Sequence, residues 1–150
     1  GITESCDLYL KPENLQKTGS FKLRGSGYKI SMLSEEEKAR GVIACSAGNH
    51  AQGVALAATK AGVKSIICLP DSAPISKIEA TKKYGAGVCL VEGVYDDAFN
   101  RAIQLREEHG YTFVHPFDDE DVIAGQGTIG LEIVQELDGI DAVIVPIGGG

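Results

Sequence analysis

The chain has 150 residues, with 14 lysines and arginines against 21 aspartates and glutamates, which gives a formal charge of −7. This acidic balance argues against nucleic acid or an anionic membrane as the main partner. Hydrophobic residues make up 43% of the chain, which predicts a globular domain of ordinary size. No apolar run reaches the roughly 18 residues of a membrane span and the N-terminus lacks a signal-peptide pattern, so we expect a cytoplasmic protein.

Short runs rich in valine and isoleucine alternate with segments of helical period. The predicted strands cover residues 42–45, 65–69, 87–91, 112–114 and 142–147. The predicted helices between them cover residues 49–61, 75–84 and 95–109, and each is followed by a glycine. Because strands that alternate with helices pair in parallel, we expect an α/β fold, an open parallel sheet with helices on both faces.

The residues before this block contain further predicted elements. Residues 8–10 predict a short strand and residues 20–33 predict a helix. A second helix is predicted to start at Ser34, where Ser34 and Glu37 have the spacing of a capping box.

A lysine stands close to the predicted start of the first helix, within the segment ENLQKTGSFKLRG at residues 13–25. A helix N-terminus repels a cation, and the neighbouring Phe21 shields the amine from water, so we expect the pKa of Lys22 to be lowered. An amine of that kind can form a Schiff base or act as a general base. The alternative, a surface lysine on an amphipathic helix, stays open.

Residues 46–53, SAGNHAQG, follow a predicted strand and open a predicted helix. The backbone N–H groups of a helix start at the carboxyl end of a parallel strand bind anions, and Gly48 allows close approach of a ligand. Asn49 can donate to a ligand oxygen. Alternatively Ser46 or Asn49 caps the helix, and the two roles are compatible.

Two glycine-rich segments follow. Residues 125–130 match G-x-G-x-x-G, but they follow a polar segment instead of a strand, and no acidic residue ends a strand about 20 residues later. A nicotinamide-dependent oxidoreductase is therefore a weak alternative, and close packing of a helix through small residues is favoured. The terminal residues Gly148, Gly149 and Gly150 are typical of a phosphate-binding loop or of a linker.

The cysteines and histidines show no metal-ligand spacing, so no metal site is predicted. Three of the four cysteines lie in apolar runs and are predicted to be small buried residues: Cys45, Cys68 and Cys89, with Cys6 outside them. The histidines share no helical face and receive structural roles by default: His50, His109 and His115.

Four segments, in the order that the family has them, resemble the L-threonine dehydratase (threonine ammonia-lyase) family of fold-type II pyridoxal 5′-phosphate enzymes: residues 13–25, 46–53, 125–132 and 146–150. The resemblance covers nearly the whole chain. It implies an incomplete tryptophan-synthase-β-like fold that stops within the phosphate loop. In that fold residues 41–116 form a small domain, and residues 1–40 and 117–150 belong to a large cofactor domain.

The resemblance also implies roles for individual residues. Lys22 would hold pyridoxal 5′-phosphate as a Schiff base, Phe21 would lie beside its ring, and Asn49 would bond its 3′-oxygen. The phosphate loop would begin with Gly148, Gly149 and Gly150. Donors to the substrate carboxylate would come from Ser46, Gly48, Asn49 and His50.

The implied reaction is β-elimination of L-threonine or L-serine to 2-oxobutanoate or pyruvate with release of ammonia, in amino-acid degradation or isoleucine biosynthesis. The complete enzyme is expected to be a homo-oligomer that acts on a small amino acid, and the 150 residues alone are expected to be inactive. The alternatives are a serine racemase of the same fold and a non-catalytic fragment. In serine racemases a serine provides the second proton carrier at the position of Ala47, which favours elimination here.

Overall fold

A computed structural model describes residues 6–148, and the order of its elements follows the predicted alternation. After a short 3₁₀ helix at Glu13–Leu15, the elements are α1 (Lys22–Ser31), α2 (Glu35–Arg40), β1 (Val42–Cys45), α3 (Asn49–Lys60), β2 (Ser65–Pro70), α4 (Ile75–Lys83), β3 (Gly87–Val91), α5 (Tyr95–His109), β4 (Thr112–Phe113) and α6 (Glu120–Glu136). Within residues 6–148 no helix has the length and hydropathy to cross a membrane.

The four strands form one parallel sheet in the order β3-β2-β1-β4. In this register Val42 of β1 lies opposite Ser65 of β2 on one side and Thr112 of β4 on the other. The prediction of an open parallel sheet is therefore confirmed.

Helices cover both faces of the sheet, as predicted. Alternate residues of β1 point to opposite faces, so Val42 joins a core with α1, α3 and α4, while Ile43 joins a second core with α5. All four residues of β1 are buried, which explains why its sequence is a continuous apolar run.

The three cysteines of the apolar runs stand in one row across the sheet. Cys45 of β1, Cys68 of β2 and Cys89 of β3 are partners in the strand register. Cys45 and Cys68 are buried, as predicted, whereas Cys89 is only partly buried. Burial raises the pKa of the Cys45 thiol to about 11 and that of Cys68 to about 12, so both are protonated and unreactive at neutral pH.

The helix boundaries confirm the predicted capping residues. Ser34 Oγ accepts from the Glu37 N–H at 3.2 Å, and the Glu37 carboxylate accepts from the Ser34 N–H at 2.9 Å. Gly110, directly after α5, has a φ of 69°, in the left-handed region that glycine favours. The predicted helix at residues 20–33 is observed at Lys22–Ser31.

Two predicted strands are wrong. Residues 8–10 and 142–147 have no regular secondary structure, and all of them are exposed. An apolar run favours an extended backbone, but a strand also needs the hydrogen bonds of a neighbour, and neither segment pairs with the four-stranded sheet that the structure describes.

Candidate active site

The connectivity of the sheet changes direction at β1. Strands β2 and β3 follow on one side of β1, whereas β4 returns to its other side. In open α/β sheets such a switch point leaves a crevice at the carboxyl ends of the strands, where ligands bind. Here the turn at residues 46–48 follows β1 and residues 114–119 follow β4, so both segments reach this crevice.

His50 connects these two segments. It lies in the first turn of α3, and its Nε2 donates to the carbonyl oxygen of Val114 at 2.9 Å, which places the proton on Nε2. The side chain is buried, and its Nδ1 has no hydrogen-bond partner among the described atoms. Burial lowers the pKa of His50 to about 4, so the ring is neutral at pH 7. The structural role is confirmed, and a role toward a carboxylate stays a prediction.

Lys22 is the first residue of α1 and faces the same region. Its Nζ donates to the carbonyl oxygen of Pro116 at 2.6 Å and lies 5.3 Å from the centre of the Phe21 ring. Burial lowers the pKa of Lys22, as the sequence predicted. The amine borders a cavity of about 330 Å³, which is within the range of small-molecule sites. The residues that line it are Phe21, Lys22, Pro116, Phe117, Ile123, Gln126 and Gly127.

Glycines hold α1 tightly between α3 and α6. A Cβ on Gly53 of α3 would lie 3.1 Å from the backbone carbonyl atoms of Lys22. A Cβ on Gly125 of α6 would lie only 2.6 Å from the Cα of Gly25 in α1. These close approaches fix the backbone that carries Lys22, because neither contact leaves room for a side chain.

The same contacts decide the interpretation of residues 125–130. The segment lies inside α6, not at a turn between a strand and a helix, so it does not form a dinucleotide-binding loop. Gly125 provides the predicted close helix packing, while Gly127 and Gly130 have open space at the Cβ position.

An ion-pair network that the sequence analysis missed connects α1 to α6. Arg24 donates to both carboxylate oxygens of Glu13 at 2.8 Å, and to those of Glu132 at 2.6 and 2.8 Å. Lys11 also pairs with Glu132 at 2.8 Å. Hydrogen bonds from Arg24 and Lys11 lower the pKa of Glu132 to about 2, and Arg24 lowers that of Glu13. Glu13, Arg24 and Glu132 lie in two of the four segments that carry the family resemblance, which was the available clue, whereas Lys11 lies outside them.

A hydrogen bond to the side chain of Ser46 holds the turn before α3. Ser46 Oγ accepts from the Gly48 N–H at 3.1 Å, and a Cβ on Gly48 would meet no atom within 4 Å. The turn therefore leaves open space over its backbone, and the side chain of Asn49 is exposed. No group of His, Cys, Asp or Glu side chains in residues 6–148 is arranged to hold a metal ion.

The structure brings three of the four singled-out segments together. Lys22 and Phe21 border the cavity with residues of α6, and α3 packs on Lys22 through Gly53. Gly148 is exposed, and apart from its chain neighbours a Cβ there would meet no atom within 4 Å. Gly149 and Gly150 lie outside the described residues.

This arrangement places a half-buried lysine amine beside the segment that follows β4 in an α/β fold with a parallel sheet. The sequence profile of the family described as pyridoxal-phosphate dependent enzyme matches residues 2–150. The chain belongs to this family, which agrees with the resemblance found from the motifs.

Two individual relatives are similar to this chain over nearly its whole length. The chain is 57% identical over 144 residues to the L-threonine ammonia-lyase of Thermotoga maritima, and the match covers 96% of this chain and 36% of that protein. It is 49% identical to the catabolic L-threonine dehydratase TdcB of Escherichia coli, over 99% of this chain and 46% of the relative. The chain thus spans less than half the length of these relatives.

Solved structures agree with the fold. Threonine deaminase isoform 2 from Solanum lycopersicum superposes with a TM-score of 0.91 at 47% identity, over 95% of this chain and 39% of that chain. Maize serine racemase superposes with a TM-score of 0.90 at 39% identity, over 93% of this chain and 43% of that one. The fold-type II assignment is therefore confirmed.

The residues around the cavity fit the cofactor of this family. Pyridoxal 5′-phosphate offers an aldehyde, an aromatic ring and a phosphate. Lys22 presents an amine of lowered pKa and Phe21 presents a ring beside it. Gly48 does not line this cavity, but a Cβ there would meet no atom within 4 Å, which leaves room for a ligand at the start of α3.

Proposed function

We propose that the protein is a pyridoxal 5′-phosphate-dependent ammonia-lyase that converts L-threonine, and L-serine, to 2-oxobutanoate or pyruvate and ammonia. The observation that carries the proposal is the half-buried amine of Lys22 at the start of α1, which borders a cavity at the switch point of the sheet. The names of the relatives, threonine ammonia-lyase and threonine dehydratase, support the choice of substrate.

Lys22 would hold the cofactor and, once released by the substrate, take the proton from Cα. The lowered pKa of its amine raises the fraction that is unprotonated and able to accept that proton. When bound, the cofactor supplies an electron sink for the electrons left at Cα. The β-hydroxyl then leaves, and hydrolysis of the released enamine gives the 2-oxo acid and ammonia.

The turn before α3 would bind the carboxylate of the substrate. The proposed donors are Ser46, Gly48, Asn49 and His50. Gly48 would exchange the bond of its N–H to Ser46 Oγ for one to the carboxylate, and His50 would donate through its backbone N–H because its ring N–H is bonded to Val114. The positive end of the α3 dipole favours an anion at this place. Phe21 would pack beside the cofactor ring and Asn49 would bond its 3′-oxygen, while Gly148, Gly149 and Gly150 would contribute to phosphate binding.

The domain division belongs to the same proposal. Residues 41–116 would form the small domain, and residues 1–40 and 117–150 would belong to the cofactor domain. The tight contact between Gly25 of α1 and Gly125 of α6 supports this grouping, because it joins the two flanking segments. We further propose that the complete enzyme is a cytoplasmic homo-oligomer.

Turnover of L-threonine by the complete protein tests the proposal. We expect 2-oxobutanoate and ammonia in equal amounts, and we expect Lys22→Ala to lower turnover by at least about 10² to 10⁴-fold, the contribution of a general base. Lys60→Ala, which changes an exposed lysine on α3, is the matched control. Absence of 2-oxobutanoate, or near-normal turnover by Lys22→Ala, contradicts the proposal.

A further inference from the structure

We propose that His115 is a positioning residue for Lys22, and that it acts by fixing the carbonyl group of Pro116 that accepts a hydrogen bond from the Lys22 amine. The inference rests on the proposed function, in which this amine is the reacting group. Neither the sequence motifs nor the family comparisons assign any role to the Pro116 carbonyl.

The His115 ring closes the turn that follows β4. Its Nδ1 accepts from the backbone N–H of Asp118 at 2.7 Å and from that of Phe117 at 3.3 Å. Because both donors are N–H groups, Nδ1 carries a lone pair and the ring proton lies on Nε2. The ring also meets the Phe117 ring edge to face, with 4.7 Å between the centres. The ring is therefore held in one orientation over the turn.

The turn determines where the Pro116 carbonyl points. The Phe117 N–H and the Pro116 carbonyl belong to one planar peptide unit and point in opposite directions. A hydrogen bond that holds this N–H on His115 therefore turns the carbonyl oxygen away from His115. In this orientation the Pro116 carbonyl oxygen lies 2.6 Å from Lys22 Nζ.

This acceptor matters because the lysine side chain is flexible and its amine is half-buried. The four rotatable bonds of the lysine side chain leave Nζ free to take many positions, and a hydrogen bond to a fixed carbonyl selects one of them. One N–H of the amine is then committed to Pro116, which limits the directions in which its lone pair can point when the amine is deprotonated. Loss of the acceptor would leave the amine partly shielded from water without a partner.

The test measures the reactivity of the amine and does not depend on turnover. The complete protein, freed of cofactor, is treated briefly with acetic anhydride, and the acetylation rate of Lys22 is measured by peptide mass relative to the exposed Lys60. We expect His115→Ala to raise this relative rate about tenfold, because an amine released from a hydrogen bond is more mobile and less protonated. His115→Leu, which fills the volume of the ring without an acceptor, should do the same and replaces His115→Ala if that variant does not fold.

Two controls separate positioning from general stability. His115→Asn places an amide oxygen close to the position of Nδ1 and should keep the rate near that of the wild type. Val63→Ala removes buried volume at the opposite, amino-terminal edge of the sheet and should destabilise the fold without changing the rate of Lys22. The proposal is overturned if the acetylation rate of Lys22 is unchanged in both His115→Ala and His115→Leu. It is also overturned if His115→Asn shows the same rise as His115→Ala, or if Val63→Ala shows an equal rise. If the cofactor bound to another lysine, the proposed function would be wrong. The acetylation rate of Lys22 would still test the role of His115, because it is measured without cofactor.

Discussion

Gly25 and Gly125 bring α1 and α6 so close together that neither position has room for a Cβ. A Cβ on Gly125 would lie 2.6 Å from the Cα of Gly25, and one on Gly25 would lie 2.8 Å from the carbonyl oxygen of Val122. Lys22 stands on the first turn of α1, so the position of its backbone depends on this contact.

We expect Gly125→Ala to lower the free energy of unfolding by about 1–3 kcal/mol, since the added methyl group forces the two helices apart. Gly127→Ala in the same helix is the matched control, because a Cβ there meets open space. It should be neutral or stabilising by up to about 1 kcal/mol, from the higher helix propensity of alanine. Urea unfolding of both variants measures this, and equal effects would contradict the packing argument.

The Arg24 network predicts a loss of stability in acid. Hydrogen bonds from Arg24 hold the pKa of Glu132 at about 2 and lower that of Glu13. The unfolded chain therefore binds more protons, so the stabilisation is complete above about pH 4.5 and is lost as the pH falls towards 2. Arg24→Met should flatten the fall in unfolding free energy over this window. Arg101→Met, which breaks an exposed ion pair with Glu108, should leave the slope unchanged.

His50 predicts a second window of pH dependence at higher pH. Its pKa is about 4 in the folded protein and about 6.5 in an unfolded chain, so the unfolded chain binds more protons between these values. The unfolding free energy is therefore at its full value above pH 6.5 and falls as the pH falls to 4. The loss amounts to about 3 kcal/mol. His50→Gln can keep the bond to Val114 but does not titrate, so its unfolding free energy should lack this loss. Retention of the full loss in that variant would show that other groups cause it, and His109→Gln, at an exposed site, should behave as the wild type.

The sequence predicted the elements whose cause is local. The strands at residues 42–45 and 87–91 matched their predicted bounds. The first is fully buried, and a buried parallel strand is a continuous apolar run, whereas the second lies at the edge of the sheet and is only partly buried. The direction of the pKa shift of Lys22 was predicted from shielding by Phe21 and from the helix start, and the structure gives burial as its cause.

Other features could not be predicted because their cause is not local. The hydrogen bond from Lys22 to Pro116 joins residues 94 positions apart and ends on a backbone carbonyl, which no residue type reveals. The ion pair of Arg24 with Glu132 likewise spans 108 positions. The run at residues 142–147 has the composition of a strand, but whether it forms one depends on a neighbour that its own residues do not specify.

Ala47 predicts that elimination exceeds racemisation. Inversion at Cα needs a proton acceptor on one side of the cofactor and a donor on the other, and the methyl group of Ala47 has no exchangeable proton. The complete protein incubated with L-serine should therefore give pyruvate and little D-serine by chiral analysis. Ala47→Ser should raise the share of D-serine. Comparable amounts of D-serine and pyruvate from the wild type would contradict the choice of a dehydratase over a racemase.

The bond between Lys22 and the cofactor is the central claim, and borohydride reduction tests it most directly. The complete protein is loaded with pyridoxal 5′-phosphate, reduced and digested, and the peptide that carries the added mass is identified. We predict that the mass lies on Lys22 and that visible absorbance disappears on reduction, while Lys22→Ala has neither the absorbance nor the labelled peptide. A label on any other lysine, or no label in a protein that turns over threonine, would contradict the assignment of the site.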